Sequence, residues 1–470
     1  MTSMRLPPLL LLLVALIVLL IVIAAGSLLV NPNKPLLADV SLSSDRITPN
    51  ADGQDDVTVL TYTVNRNAEV TITFTNNTTN EAFKFRENER RPVGQYSVQF
   101  SGVVAGYVLP TETFVGTVES RLIPNGEYAW TVEAKADNGE TAQASGTLIV
   151  ADGDPLFPAI LNLEVSPTVF SPNQDGYDDR LTINVYMAKD AQVRVWLEAQ
   201  GLGPFYVPER DLGANPAAID PTVRQFDYDA GVDTNNAPPP DGDYTLVVEA
   251  QDPEGQRMRD QRIVTLKGGG LPQAEIVAQQ TGRTVTWATL PYQDAYYTDA
   301  ATAGKTVDAP QVTQSQITTI SLPQSDLLLF SLVVSNYGMT PIRTLGPFPG
   351  TVYQYEQTAG AMQAAESLDF STGGWRVGIE CERTTTSFPW RWALGSPDQL
   401  TKVEDNGQTL YYLMPGQKAT VWGAIRMTTY FKTLNPQKCW AGLIHEGVQI
   451  PNLQGHVGEI DVYLQTTEQP

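Results

Sequence analysis

The residues best suited to chemistry are the hard oxygens of an acidic nonapeptide that occurs twice, "TPNADGQDD" at residues 48–56 and "SPNQDGYDD" at residues 171–179. Asn50, Asp52, Asp55 and Asp56, with Asn173, Asp175, Asp178 and Asp179, are donors of the kind calcium takes. The same residue types also fold a tight corner without an ion. Proline fixes its own φ, Asn and Asp side chains bond nearby backbone N–H groups, and glycine enters the left-handed region. The spacing is not that of an EF-hand: with Asp52-Gly53 at loop positions 5 and 6, position 1 falls on Thr48 and position 12 on Val59. The second copy puts Ser171 and Thr182 there, where a carboxylate and a bidentate Glu belong. The motif predicts an architectural corner, with structural calcium as the alternative, and no cofactor is required.

Other reactive side chains are few. The two cysteines are Cys381 and Cys439. Alternation in "WRVGIEC" sets Trp375, Val377, Ile379 and Cys381 on one strand face and Arg376 and Glu380 on the other, so Cys381 points inward. Outside the cytoplasm the pair can form a disulfide, which on the chain-entropy model stabilises by ~4 kcal/mol. Two buried thiols are the alternative. With only His445 and His456 in the chain there is no His-rich metal site and little scope for a Ser-His-Asp triad. Glu380 and Glu382 share a strand face and could be drawn as a glycosidase acid pair, but adjacent surface acids on a strand are commonplace. No glycine-rich phosphate loop lies between a strand and a helix. The sequence therefore predicts a protein that is not an enzyme. Trp375, Trp390, Trp392, Trp422 and Trp440 could stack on sugar rings, although aromatics in sandwiches mostly fill the core. "NNTT" at residues 76–79 holds N-glycosylation sequons, a frequent chance pattern in Asn- and Thr-rich chains.

The elements that must position these residues are strands. Short runs rich in Val, Thr and aromatics, separated by Gly, Pro, Asn and Asp, indicate an all-β chain. The nonapeptides align at an offset of 123, which also brings "VTVLTYTVNRNAEVTITF" onto "RLTINVYMAKDAQVRVWL". "IPNGEYAWTVEAKADNG" (123–139) matches "PPDGDYTLVVEAQDPEG" (239–255) at an offset of 116, so the copies differ by seven residues in an intervening loop. Strand, acidic corner, strand, turn and strand, closed by an Asn-Gly or Asp-Gly turn into a strand ending "VEA", make an antiparallel sandwich.

"PNADGQDD" with "NGEYAWTVEAKADNG", and "FSPNQDGYDD" with "DGDYTLVVEAQDPEG", resemble the Ig-like domain of the flagellar hook-capping protein, a signature that recurs in bacterial surface and secreted proteins. The resemblance covers residues 36–267 and implies an extracellular sandwich spacer rather than a reaction. The first copy departs from it in having Ile47 where the second has Phe170. "KGGGLPQ" at 267–273 reads as a linker. Beyond it, "LLLFSLVVSNYGMTPIRTLG" and "YYLMPGQKATVWGAIRM" more loosely resemble bacterial cell-adhesion-related Ig-like domains, and residues 271–325 have no counterpart.

The N-terminus is different. "LLLLLVALIVLLIVIAAGSLLV", residues 9–30, carries no charge and is as long as the ~20 residues that cross a bilayer. Arg5 before it and acidic residues after Lys34 place residues 1–8 in the cytoplasm and the remainder outside. A signal peptide cleaved near Ala24–Ser27 is the rival reading. The formal charge of −22 repels nucleic-acid phosphates, so no nucleic-acid partner is expected.

Together these readings predict an all-β protein with three tandem β-sandwich (Ig-like) domains after one transmembrane helix. The divisions are 1–34 anchor or signal peptide, 35–152 and 153–267 Ig-like domains, and 268–470 a C-terminal sandwich. The expected role is a cell-membrane surface protein whose partners are the membrane, through residues 9–30, and a protein or polysaccharide of the cell envelope. Carbohydrate binding or an accessory role in an envelope complex are the alternatives.

Overall fold

The computed structural model of the chain describes residues 16–22, 34–211, 220–280, 282–296, 307–311, 318–366, 369–405 and 407–466. The described chain is all-β, its strands gathered in six sheets. Residues 16–22 are helical and exposed, while the rest of the apolar run at 9–30 lies outside the described residues. Among the described residues no helix is long and apolar enough to cross a membrane.

In the first unit, period-two alternation turns Leu60, Tyr62 and Val64 of the Thr58–Val64 strand inward, and Val70, Ile72 and Phe74 of Ala68–Asn76. Leu37–Leu42, Thr58–Val64 and Gly94–Phe100 make one sheet. Arg46–Ile47, Thr141–Val150, Gly126–Ala136, Ala68–Asn76 and Ala82–Arg91 make the other, in that spatial order. Their apolar faces enclose one core. The second unit repeats the plan with Ile160–Ser166, Leu181–Met187 and Val223–Tyr228 opposite Leu202–Val207, Gln192–Ala199, Gly242–Gln251 and Arg257–Leu266. A tyrosine hydroxyl donates to the carbonyl four residues upstream in each copy, Tyr128 to Pro124 at 2.6 Å and Tyr244 to Pro240 at 2.7 Å.

The copies part at two connections rather than one: the offset rises from 123 to 128 at Val98 and Phe226 and then falls to 116, so the net seven residues combine five extra in the second copy with twelve extra in the first. Residues 101–122 of the first unit fill the interval that residues 229–238 fill in the second. That longer segment forms a hairpin, Val103–Ala105 with Thr117–Leu122, whose second strand pairs antiparallel with Arg257–Leu266 of the next unit. One sheet thus runs across the first boundary.

The third unit places Ala274–Val277, Val285–Leu290, Leu327–Asn336, Lys418–Arg426 and Val352–Gln354 in one sheet. The second sheet runs from Thr319–Pro323 through Val457–Gln465, Gln437–His445, Trp375–Cys381, Ile342–Thr344 and Gln408–Leu413 to Thr401–Asp405, with Trp390–Ala393 also on Trp375–Cys381. Its core contains Trp375, Trp390 and Trp392, all buried. Trp392 lies over Gly423, where a Cβ would come within 2.3 Å of the indole nitrogen. Cys381 and Cys439 are opposite residues on paired strands and are joined as a disulfide.

Candidate functional site

The two acidic corners have the same backbone. Ala51, Gly53 and Asp55 take φ of +59°, +86° and +52°, and Gln174, Gly176 and Asp178 take +59°, +88° and +48°. The last carboxylate of each motif gathers the loop's own donors. Asp56 accepts from the N–H groups of Asn50 (3.2 Å), Ala51 (2.9 Å) and Gly53 (2.8 Å). Asp179 accepts from Asn173 (3.1 Å), Asp175 (3.2 Å) and Gly176 (2.6 Å). Asn50 and Asn173 accept from the N–H two residues on, as do Asp52 and Asp175. The carboxylates of Asp52, Asp56, Asp175 and Asp179 therefore face backbone N–H groups, which leaves fewer oxygens for an ion, while Asp55 and Asp178 are exposed. Among the described residues no group of three or more His, Cys, Asp or Glu is placed to hold a metal ion.

The corner prolines tie down the chain that leaves each unit. Pro49 O accepts from Asp154 N at 3.3 Å and Pro172 O from Gly270 N at 3.0 Å. Residues 267–273 are in this way held against their own domain at Gly270, with a second bond from Lys267 N to Phe170 O at 3.0 Å.

Beyond the backbone the corners differ. Asp52 and Asp55 are exposed, whereas Asn173, Gln174 and Asp175 are buried against the third unit. Tyr412 donates to Asp175 at 3.1 Å, and Tyr177 hydrogen-bonds Gln408 at 3.2 Å. His445 Nε2 lies 2.7 Å from Gln174 O, the geometry of a donating N–H, with the imidazole stacked on Trp375. The Arg343 guanidinium covers the Tyr177 ring, its carbon 4.8 Å from the centroid. Two glycines allow the backbones to touch: a Cβ on Gly176 would lie 2.2 Å from Thr372 O, and one on Gly373 would lie 2.3 Å from the Asp175 carbonyl carbon. Burial pushes the Asp175 carboxyl up to about 6, against the pull of the Tyr177 N–H, and pulls the His445 imidazole down to about 4.

The first boundary is held by other means. Lys189 Nζ reaches Asp154 of the connecting segment (2.7 Å), Asp252 (2.8 Å) and Glu254 (3.2 Å). Burial alone would lower the ammonium's pKa, but the carboxylates outweigh it and the net shift is upward. Beside it, buried Gln256 accepts from Leu122 N of the first unit at 3.3 Å and donates to Leu156 O at 3.1 Å and to Asp252 at 2.9 Å.

The remaining sequence candidates have structural partners. Glu380 accepts from Phe388 N and Glu382 from Lys438 N. His456 is exposed, stacks on Trp440 and bonds Glu459. Trp422 and Trp440 are half-buried, and Trp422 donates to Val307 O. Asn76, within the sequon stretch, is buried and accepts from Thr78 N and Thr79 N. Sequence reasoning missed Tyr412, His445, Arg343, Lys189 and Gln256 as boundary residues, because each acts on a partner distant in the chain. The signal it held was the length difference between the copies, a net seven residues that understates the twelve extra residues around the bridging hairpin.

No protein-family model matches the chain, and no curated protein matches it. Among solved structures it is similar to a Ca2+-stabilised adhesin that helps an Antarctic bacterium reach out and bind ice, at 12% identity over 92% of this chain and 74% of that one, TM-score 0.21. It is also similar to a 1.5-MDa bacterial ice-binding adhesin, at 11% identity over 92% and 98%, TM-score 0.17. A third is a tetra-tandem repeat from the extending region of a large adhesion protein, at 11% identity over 86% and 80%, TM-score 0.16.

Proposed function

We propose that this chain is a non-catalytic, membrane-anchored surface protein. Its two Ig-like domains, 35–152 and 153–267, form a stiff spacer that presents the C-terminal sandwich, 268–470, for adhesion or envelope assembly. The observation that carries this reading is the strand Thr117–Leu122, which belongs to the first unit and hydrogen-bonds into the sheet of the second. Domains joined by shared sheet and buried side chains move less freely than domains on a bare linker. The second boundary adds support, since Asp175, Tyr412 and His445 are spent on packing one unit against the next rather than lining an open cleft. The disulfide and the apolar run at 9–30 support an extracytoplasmic location. Trp375, Trp390 and Trp392 are buried and offer a sugar no stacking face, so the carbohydrate reading would rest on the half-buried Trp422 and Trp440.

The test is protease added to intact cells expressing the full chain. Loss of everything beyond Asn31 with a short fragment retained in the membrane supports the reading. Recovery of the protein from the medium, beginning near Ser27, rejects the anchor in favour of a cleaved signal.

A further inference from the structure

The strand Gly94–Phe100 ends its sheet, and among the described residues its outer edge pairs with no other strand. An unpaired edge of this kind is a template for another strand, which proteins usually blunt with charge, proline, bulges or a covering segment. The other edges nearby are blunted. Ala82–Arg91, at the same side of the opposite sheet, carries Lys84, Arg86, Glu87, Glu89, Arg90 and Arg91 and two shifts of register. In the second unit the equivalent strand is Val223–Tyr228, with Arg224 and Asp227. A passing segment covers it, through a bridge between Glu209 and Phe226 and a 2.8 Å bond from Arg210 N to Gln225 O.

Gly94–Phe100 carries none of these devices in its own residues, and the charge nearest to it is Arg91, whose guanidinium lies 4.7 Å from the Tyr96 ring centroid and pairs with Glu89. The strand's sequence, "GQYSVQF", contains no charge and no proline. The consequence shows in the core-facing side chains. Val98 pairs with Leu60 as Phe226 pairs with Ile183, yet Phe226 is buried and Val98, like Tyr96, is only half-buried at the open edge.

We propose that this edge pairs with the same edge of a second copy of the chain, antiparallel about a two-fold axis at Ser97. The strand is complementary to itself in that register. Gln95 lies opposite the other copy's Gln99 and Ser97 opposite Ser97 on the outer face, while Tyr96 and Val98 meet Val98 and Tyr96 on the inner face. Two three-stranded sheets become one of six strands, the open backbone groups are satisfied, and the half-exposed apolar pair is covered. Charge selects this site for self-association. Two chains of net charge −22 repel, and the strand's own residues bring no like charges face to face, while the neighbouring Arg91 is paired with Glu89.

The experiment uses the full chain in detergent micelles at micromolar concentration. Mass photometry gives the oligomeric state, and mild oxidation of Ser97→Cys gives the register, with Ser145→Cys as an exposed strand control. The expected results are a dimer, a covalent link through Ser97→Cys that Ser145→Cys does not form, and at least a several-fold weaker dimer in Ser97→Glu, whose circular dichroism matches the parent. A monomeric parent, as a strand accepted from a different protein would leave it, overturns the proposal. So does a dimer that Ser97→Glu leaves unchanged, as pairing through the apolar segment would give.

Discussion

The Tyr412 phenol donates a 3.1 Å hydrogen bond to the buried carboxylate of Asp175, closing the second acidic corner with a residue 237 positions further along the chain. The first corner, with the same backbone and the same internal bonds, leaves its Asp52 in water. One motif therefore serves in one copy as a surface turn and in the other as the plug of a joint. The difference lies in what Gln174, Gly176 and Tyr177 meet, namely His445, Thr372, and Arg343 with Gln408.

Acid should act on that joint in two opposing senses. Asp175, raised from 3.8 to about 6, holds its proton more tightly when folded, so its ionisation weakens the fold as pH rises through that window. His445, lowered from 6.5 to about 4, stays neutral when folded, so its contribution is complete above 6.5 and is lost as pH falls toward 4. Arg343 acts on both groups. Asp179, Tyr177 and Tyr412 also face Asp175, and the Gln174 carbonyl and Glu446 face His445. Urea unfolding between pH 6 and pH 4 should show His445→Gln gaining stability on acidification and Asp175→Asn losing it, each by up to about 3 kcal/mol. Parallel slopes in the two variants would contradict this assignment.

The corners should behave as ion-free turns. Chelator should leave the melting temperature unchanged. Asp56→Ala, which removes the acceptor for three backbone N–H groups, should cost about 2 kcal/mol, and Asp52→Ala, which removes one, about 1 kcal/mol. Differential scanning calorimetry with and without calcium decides the matter. Calcium at about 100 times its Kd would add ~2.7 kcal/mol per occupied site, a gain that Asp52→Ala or Asp175→Ala would abolish.

At the first boundary Lys189→Met should be costly, because it leaves the fully buried Asp252 carboxylate without its ammonium. A loss of about 3 kcal/mol or more is expected in denaturant unfolding, partly recovered in Lys189→Arg. A loss below about 1 kcal/mol would show that the ammonium does not hold the connecting segment in place.

How much of this was legible depends on range. Alternation in "VTVLTYTV" and "WRVGIEC" gave the strands and the inward face of Cys381, since period two is a local property. It also put Arg376 on the other face. It could not show that this face is buried too, with the guanidinium ion-paired to Glu446, which also pairs with Arg391. The corner's residue types specified its turn geometry, because every bond inside it spans six residues or fewer. Its burial was not legible, because Tyr412 and His445 reach Asp175 and Gln174 only through the folding of another unit. The net seven-residue difference between copies hid two opposite changes and did not reveal that the longer segment pairs into the neighbouring sheet.

In the third unit Cys381 and Cys439 should resist alkylation in denaturant until a reductant is added, read by intact mass. Replacing both by serine should cost about 4 kcal/mol on the loop-entropy account of a bridge between residues 58 apart. Two thiols alkylated before reduction would reject the bridge.

If both boundaries are fixed, the distance between the first and third units takes one value. Spin labels at Thr141→Cys in the first unit and Leu453→Cys in the third are both exposed, and the native cysteines are occupied in the disulfide. Pulsed electron–electron resonance on the full chain in detergent should give a single narrow distance distribution, which broadens when Lys189→Met and Tyr412→Phe are combined. A broad distribution in the parent, unchanged by those substitutions, would contradict a stiff spacer.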